Sequence, residues 1–463
     1  MNERTIREYS TLAIPSQDQL LYGVSPHPLT CGLGLTIGAG QVFPEINFTL
    51  PAMNIEPETW PDVVAHYDEM AAQILRRAVS LSVPGILLEF ELLPPMTECP
   101  EWGAEITTVL KRHLIACHEK HHLPCALRVT PTDIRDQQKP PLMRTGEPWQ
   151  RLKRSLELCA AAGADILSIE SIGGKEVNDQ ALMYGDFQGI VFALGVLAPR
   201  DVSWLWTEIR DICAEHPGVV PGGDSACGFA NTAMQLAHQK MLPEVLAAVV
   251  RAMSAVRSLA AFEQGAIGPS KDCAYEGPVI KAITGYPISM EGKSASCAHF
   301  SPLGNIAAAM CDLWSNESVQ NVRLLSGNAP EAYTELLAYD CRLMNTAAAN
   351  QGGALQMRNW MTESDEWLSP QAAVLSPDAT IRIAAAIVAA DTPYHRVIAA
   401  GNAAVRVLKD GIERQKLHIT RKEHQWLTRI DDALRAFPAD EGALLLELES
   451  QYGSLYDKAS YGL

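Results

Sequence analysis

Glu170 in ADILSIES, Cys227 in GGDSACG and Cys273 in GPSKDCAYE are the residues whose types and settings could do chemistry together. A carboxylate and two thiols form a metal-binding set, and each stands at the edge of an apolar run beside a Gly-, Ser- or Pro-containing turn. From 170 to 227 is 57 residues and from 227 to 273 is 46. Zinc fingers and knuckles use far shorter spacings, so a shared site would have to be assembled by a large fold. Three protein ligands on one tetrahedral ion leave a position open, which is the arrangement of catalysis and not of bracing.

Each residue also has a plainer reading. Gly222, Gly223 and Gly228 permit tight turns around Cys227 just before a helical pattern, so its thiol is expected at a helix N-terminus, where the anion is favoured. Cys273 follows a second Gly/Pro turn, with Lys271 close by as a cation for its thiolate. Either cysteine taken alone could be an inert buried residue. Glu170 ends an apolar run and precedes the Gly173-Gly174-Lys175 turn. A carboxylate there needs compensation, either by a ligand role or by an ion pair with a nearby lysine.

Other constellations carry weaker signals. His113, Cys117, His118, His121, His122 and Cys125 crowd KRHLIACHEKHHLPC, but the helical period points the histidines in different directions and predicts a solvated helix end. Gly32, Gly34, Gly38 and Gly40 imitate a dinucleotide turn, yet Pro44 follows where a helix should open; a barrel-entry or active-site loop is expected. Glu89 and Glu91 share one face of LLEFELL and could supply a proton, although salt-bridged structural carboxylates are the expected outcome.

The elements that must position these residues belong to a large soluble chain. Its 463 residues are 47% hydrophobic and 20% charged, ample for a sizeable core. The formal charge of −17 repels phosphate backbones and anionic lipid, which argues against nucleic-acid and membrane partners. The N-terminal segment is too polar for a signal peptide and no long uncharged apolar stretch occurs, so the cytoplasm is expected. Eleven cysteines without short repeating spacings suit reduced thiols, with Cys159 and Cys213 as small buried helix residues.

Between about residues 30 and 350, PGILLEFELL, PCALRVTP, ADILSIES and RSLAAFEQG read as buried strands. Amphipathic helices alternate with them, including DVVAHYDEMAAQILRRAVS and ANTAMQLAHQKMLPEVLAAVVRAMSA. The order predicts an α/β fold with parallel strands. A doubly wound sheet and a (β/α)₈ barrel compete. The barrel is favoured because about 30 residues make one of its units, putting the three candidate ligands on nearby strand ends. The expected organisation is a barrel domain with an N-terminal arm over 1–365 and a helical appendage packed on it over 366–463.

The stretches PEINFTLP, SIESIGGKEV, GDSACGFANTAM, GPSKDCAYE, KAITGYPISMEGKSASCAH, WSNESV and LAYDCRLMNTA, with SYGL at the chain end, resemble the zinc-containing methanol–corrinoid protein methyltransferase family over nearly the whole chain. The resemblance is strongest from Glu170 to Thr346. It implies a (β/α)₈ barrel with added helices and a zinc ion held by Glu170, Cys227 and Cys273. It also implies transfer of methanol's methyl group to the cobalt(I) of a corrinoid carried by a partner protein, with release of water. A homo-oligomer is the expected assembly.

Zinc with one open position would make the alcohol oxygen electron-poor, while two thiolates and a carboxylate would moderate that effect and disfavour the alkoxide, a still worse leaving group. A proton donor is then needed, and Glu89, Glu91 and Asp224 are the candidates, with none assigned. Two other readings stay open at this point: the same zinc barrel acting on another methyl donor or a thiol, and a non-catalytic corrinoid-protein scaffold.

Overall fold

A computed structural model describes residues 7–48, 53–271, 275–292, 302–318 and 329–463. Seven parallel strands form one sheet: β3 (Phe43–Phe48), β4 (Ile86–Glu91), β5 (Cys125–Thr130), β6 (Ile166–Ile169), β7 (Val220–Asp224), β8 (Ser289–Glu291) and β9 (Leu313–Ser318). Their order is β7-β6-β5-β4-β3-β9-β8, with β3 pairing β4 on one side and β9 on the other. The Ile267–Ser270 stretch links the two edges. On one side Ile267 and Gly268 donate to the carbonyls of Pro221 and Gly222 at 2.9 and 2.8 Å; on the other, Ser270 forms a parallel bridge with Ile288. The ring therefore has the eight positions of a (β/α)₈ barrel. Its sixth is only a fragment of strand, because Pro269 has no N–H for the ladder.

RSLAAFEQG differs from its expected strand. It is the end of a buried helix, Glu244–Glu263, and Cys273 therefore lies beyond the short Ile267–Ser270 segment. No Gly or Pro before Gly265 ends the helix, and a short apolar run alone does not separate strand from buried helix. The glycine-rich segment is also corrected. Val24–Cys31 (β1) and Leu35–Ala39 (β2) form an antiparallel hairpin, with Leu33 donating to the Cys125 carbonyl at 2.8 Å. Gly32 has φ +56° and a Cβ there would strike Cys125 and Ala126, so only glycine allows the hairpin to sit so close. Cys31, Leu35 and Ile37 pack on Phe43, Leu87, Ala126, Ile166 and Leu313. These are residues from the first half of their strands, so the hairpin plugs the end of the barrel opposite the candidate site.

Strand alternation sorts the rest of the core. Outward residues such as Ile46, Leu88, Phe90, Leu127, Val129, Leu167 and Ile169 pack under the helices. The inward positions change character along the axis. Above the apolar plug come Glu45, Glu89, Arg128, Ser168, Ser289 and Ser315, all with no exposed surface. Arg128 Nε lies 2.8 Å from Glu45 Oε1, and its Nη1 donates to Ser168 Oγ and to the carbonyls of Pro269 and Ser270 at 3.0 to 3.2 Å. Barrel interiors are ordinarily filled by branched aliphatic residues; this one has an ionic middle layer.

The C-terminal segment is helical, as expected. Six helices, Pro370–Leu375, Pro377–Val388, Pro393–Glu413, Arg421–Ala436, Glu441–Tyr452 and Lys458–Tyr461, each open on a side-chain cap from Ser369, Ser376, Thr392, Thr420, Asp440 and Asp457. Two helices, Phe187–Glu215 and Glu244–Glu263, are long and apolar enough to cross a membrane, and their most apolar windows are 83% and 100% buried inside the fold.

Candidate functional site

The strand C-termini open onto a cavity of about 230 Å³. Glu170 lines it directly after β6, and so does Gly228, the residue following Cys227. Cys227 lies three residues past β7 and starts a π-helical turn, Cys227–Asn231, that runs into the Thr232–His238 helix. Its expected place at a helix start is therefore observed. Asn231 Nδ2 donates to its sulfur at 3.5 Å. Cys273 falls outside the described residues; Lys271, two residues earlier, reaches Glu170. Among the described residues no group of three or more His, Cys, Asp or Glu side chains is placed to hold a metal. A larger hollow of about 720 Å³ lies among Trp204, Tyr394 and Tyr461 and carries neither Cys227 nor the strand-end carboxylates.

Lys271 organises the acidic side of the cavity. Its buried ammonium lies 2.5 Å from Glu91 Oε1, 3.2 Å from Glu89 Oε1 and 3.7 Å from Glu170 Oε1. Glu89 also accepts from Thr130 Oγ1 at 2.8 Å, and Glu91 from Asn47 Nδ2 at 3.3 Å. The salt-bridged reading of Glu89 and Glu91 is thus the observed one, and the same lysine also meets Glu170. The contact to Glu170 is the longest, and that side chain keeps 33% of its surface exposed.

Asp224 is a structural carboxylate. It accepts from Ser171 N and Oγ at 3.2 and 2.8 Å, Trp206 Nε1 at 2.8 Å, Ser225 N at 2.8 Å and Arg257 at 3.1 Å. Five donors on a fully buried carboxylate leave it no freedom to exchange a proton with a substrate. Glu276, three residues after Cys273, joins this framework. Its Oε1 accepts from Ala226 N at 2.9 Å and Ser258 Oγ at 2.6 Å, and burial pushes its carboxyl above the usual range. Beyond Glu170, Asp133 accepts from Ile172 N at 3.1 Å and is itself gripped, with Asp201, by the buried Arg135. Gly173 has to be glycine because a Cβ would fall on Asp201.

Arg251 and Arg257, both on the Glu244–Glu263 helix, are the functional-site residues that sequence reasoning missed. Arg251 lies over the Tyr275 ring at 5.2 Å and donates to Gln371 Oε1 at 2.9 and 3.1 Å. Burial pushes it down to about 10, while Tyr275, Glu276 and Cys227 oppose the shift. Its positive charge and a Cys227 thiolate would attract each other. The signal was present: these are the only charges between Glu244 and Glu263, on a helix with no polar face to put them on.

The histidine cluster contributes nothing here. His113 pairs with Asp68 at 2.9 Å, His118 meets the Leu123 carbonyl at 2.9 Å, and His121 and His122 are exposed. Cys159 and Cys213 are buried on helices, as expected.

A parallel barrel carrying its acidic and thiol side chains at the strand C-termini has the layout of a barrel enzyme, whose chemistry sits at that end. The family follows from comparison. A model of the MtaB family, described as the methanol-cobalamin methyltransferase B subunit, matches residues 6–462, and the chain belongs to that family. It is 36% identical to a methanol–corrinoid protein co-methyltransferase of Methanosarcina barkeri (strain Fusaro / DSM 804), over 98% of this chain and 99% of the relative. The crystal structure of the methanol:cobalamin methyltransferase complex MtaBC from Methanosarcina barkeri contains a chain that superposes with a TM-score of 0.93 at 36% identity, covering 99% of this chain and all of that one.

Proposed function

We propose that this chain transfers the methyl group of methanol to the cobalt(I) of a corrinoid carried by a partner protein, releasing water, with a zinc ion held by Glu170, Cys227 and Cys273. The observation carrying this reading is that Glu170 and the Cys227 turn meet at one cavity at the C-terminal end of the barrel. Family membership supports the reaction class. The donor set suits zinc, since a carboxylate and thiolates are its ordinary ligands, and Asn231 and Arg251 are placed to favour the Cys227 anion. When bound, zinc would supply Lewis-acid polarisation of the alcohol oxygen.

The rest belongs to the chain's own residues. Leu92, Leu93, Pro131 and Ile172 give the cavity an apolar wall that suits a methyl group and keeps water out. The departing hydroxyl must gain one proton to leave as water. Of the three carboxylates considered from sequence, only Glu91 lines the cavity; Glu89 is sealed behind it and Asp224 is saturated. The reading keeps the chain in the cytoplasm, with the corrinoid-binding protein and methanol as partners, and a homo-oligomer as the assembly to test by sedimentation.

Two measurements test it. Purified chain should hold one zinc, and Cys227→Ala, Cys273→Ala and Glu170→Gln should each weaken its retention; unchanged zinc in both cysteine variants would overturn the ligand set. Mixed with a reduced corrinoid protein and methanol, the chain should convert the cobalt(I) spectrum to that of methyl-cobalt(III). No change with methanol but turnover with another methyl donor would reject the substrate and keep the barrel chemistry.

A further inference from the structure

We infer that Arg257 is a positioning residue that fixes the separation between Glu170 and Cys227, a role that rests on reading those two side chains as metal ligands. The guanidinium has no exposed surface. Nη1 donates to the Ser225 carbonyl at 2.6 Å, two residues before Cys227. Nη2 donates to the Ser171 carbonyl at 3.1 Å, one residue after Glu170, and also to Ser171 Oγ and to Asp224 Oδ1 at 3.1 Å. One planar cation therefore grips the main chain on both sides of the gap an ion would bridge. A carbonyl moves only with its peptide plane, so holding these two carbonyls fixes the direction in which the chain leaves Glu170 and approaches Cys227.

The neighbours add rigidity to the grip. The Phe229 ring lies 4.8 Å from the guanidinium, and Asp224 closes the loop by accepting from Ser171 and Ser225. The next residue on the same helix, Ser258, donates to Glu276, which holds Ala226 beside Cys227. A lysine could replace the charge but not the fork, because its ammonium is a point donor without the two-armed plane. Groups that orient metal ligands in this way typically govern about 10–100-fold of metal affinity.

The test uses full-length Arg257→Lys and, as a milder change, Ser171→Ala, with Arg396→Ala as control. Arg396 pairs with Glu263 at the C-terminal end of the same helix, away from both loops. Zinc affinity is measured by chelator competition, and cobalt(II) replaces zinc so that its ligand-field bands report ligand angles. The expected result for Arg257→Lys is an affinity about 10–100-fold lower and altered cobalt bands, a smaller change of the same kind for Ser171→Ala, and wild-type values for Arg396→Ala at a matched melting temperature. Wild-type affinity and spectrum in both site variants overturn the inference alone, as does an equal affinity loss in the Arg396 control. A wild-type chain that binds no zinc removes the metal reading and this inference together.

Discussion

Lys271→Met isolates the electrostatic support of the cavity. The ammonium is the shared partner of Glu89, which has no exposed side-chain surface, and Glu91, which has 21%. Removing one member of a buried ion pair costs about 3–5 kcal/mol, because the remaining charge stays desolvated. Unfolding entropy of about 2.1 cal/mol/K per residue comes to about 1 kcal/mol/K for a chain of this length, so the melting temperature should fall by about 3–5 °C. Because the cluster is buried, the loss should be nearly insensitive to added salt. Calorimetry at neutral pH, with and without salt, reads both features. A second variant, Lys271→Met with Glu89→Gln, should recover much of the loss by removing the stranded charge. A single variant melting within about 1 °C of wild type, or a double variant that recovers nothing, would refute the placement of Lys271 as the counter-charge of the site.

Arg135→Met should cost a comparable 3–5 kcal/mol in a thermal melt, since it strips the guanidinium from buried Asp133 and Asp201; Arg135→Lys should rescue little, because both aspartates are engaged by the fork. Glu276 should make stability fall with rising pH. Its folded carboxyl is raised by burial, so the folded state holds the proton more tightly than the unfolded chain, and that contribution is complete below the unfolded value and lost as pH climbs through the folded one. Urea melts of Glu276→Gln against wild type, from about pH 4.5 upward, should show the variant gaining relative to wild type as pH rises; a constant difference would contradict the burial argument.

The barrel and the ends of its strands were legible because parallel strands buried on both sides write themselves as short apolar runs, and chemistry-bearing residues interrupt those runs at the C-terminal edge. Glu170 and Cys227 stood out for that reason. RSLAAFEQ alone is not legible as helix, since a run of eight residues fits either element; the deciding fact is local, the lack of any Gly or Pro between it and the helical pattern before it. From sequence the glycine-rich hairpin reads as a barrel-entry or active-site loop, because glycine spacing says that the backbone turns closely, not which end of a barrel it approaches. The partners of Lys271 were hidden too. Proximity in sequence points to Cys273, which lies outside the described residues, and gives no hint of the β4 carboxylates that the ammonium reaches across the barrel.

The distribution of cations says what this interior is for. Although the chain carries a surplus of acid, Arg128, Arg135, Arg251, Arg257, Lys271 and Lys281 are all buried. Replacing buried ion pairs by well-packed apolar side chains is often neutral or stabilising, so a barrel shaped by stability alone would continue upward the aliphatic layer it has at the hairpin-plugged end. It changes instead to charged and hydroxyl side chains at Glu45, Glu89 and Arg128, and the change continues to the strand ends that carry Glu170 and lead to Cys227. Directional bonds hold atoms in place where dispersion contacts would let them slide, and several of them, donated by Arg257 or accepted by Asp224, fall on the peptides flanking those two residues. The ionic layer is therefore better understood as the mounting of the site than as a source of stability. That view predicts that variants within the layer differ more in metal affinity than in melting temperature as they approach the cavity.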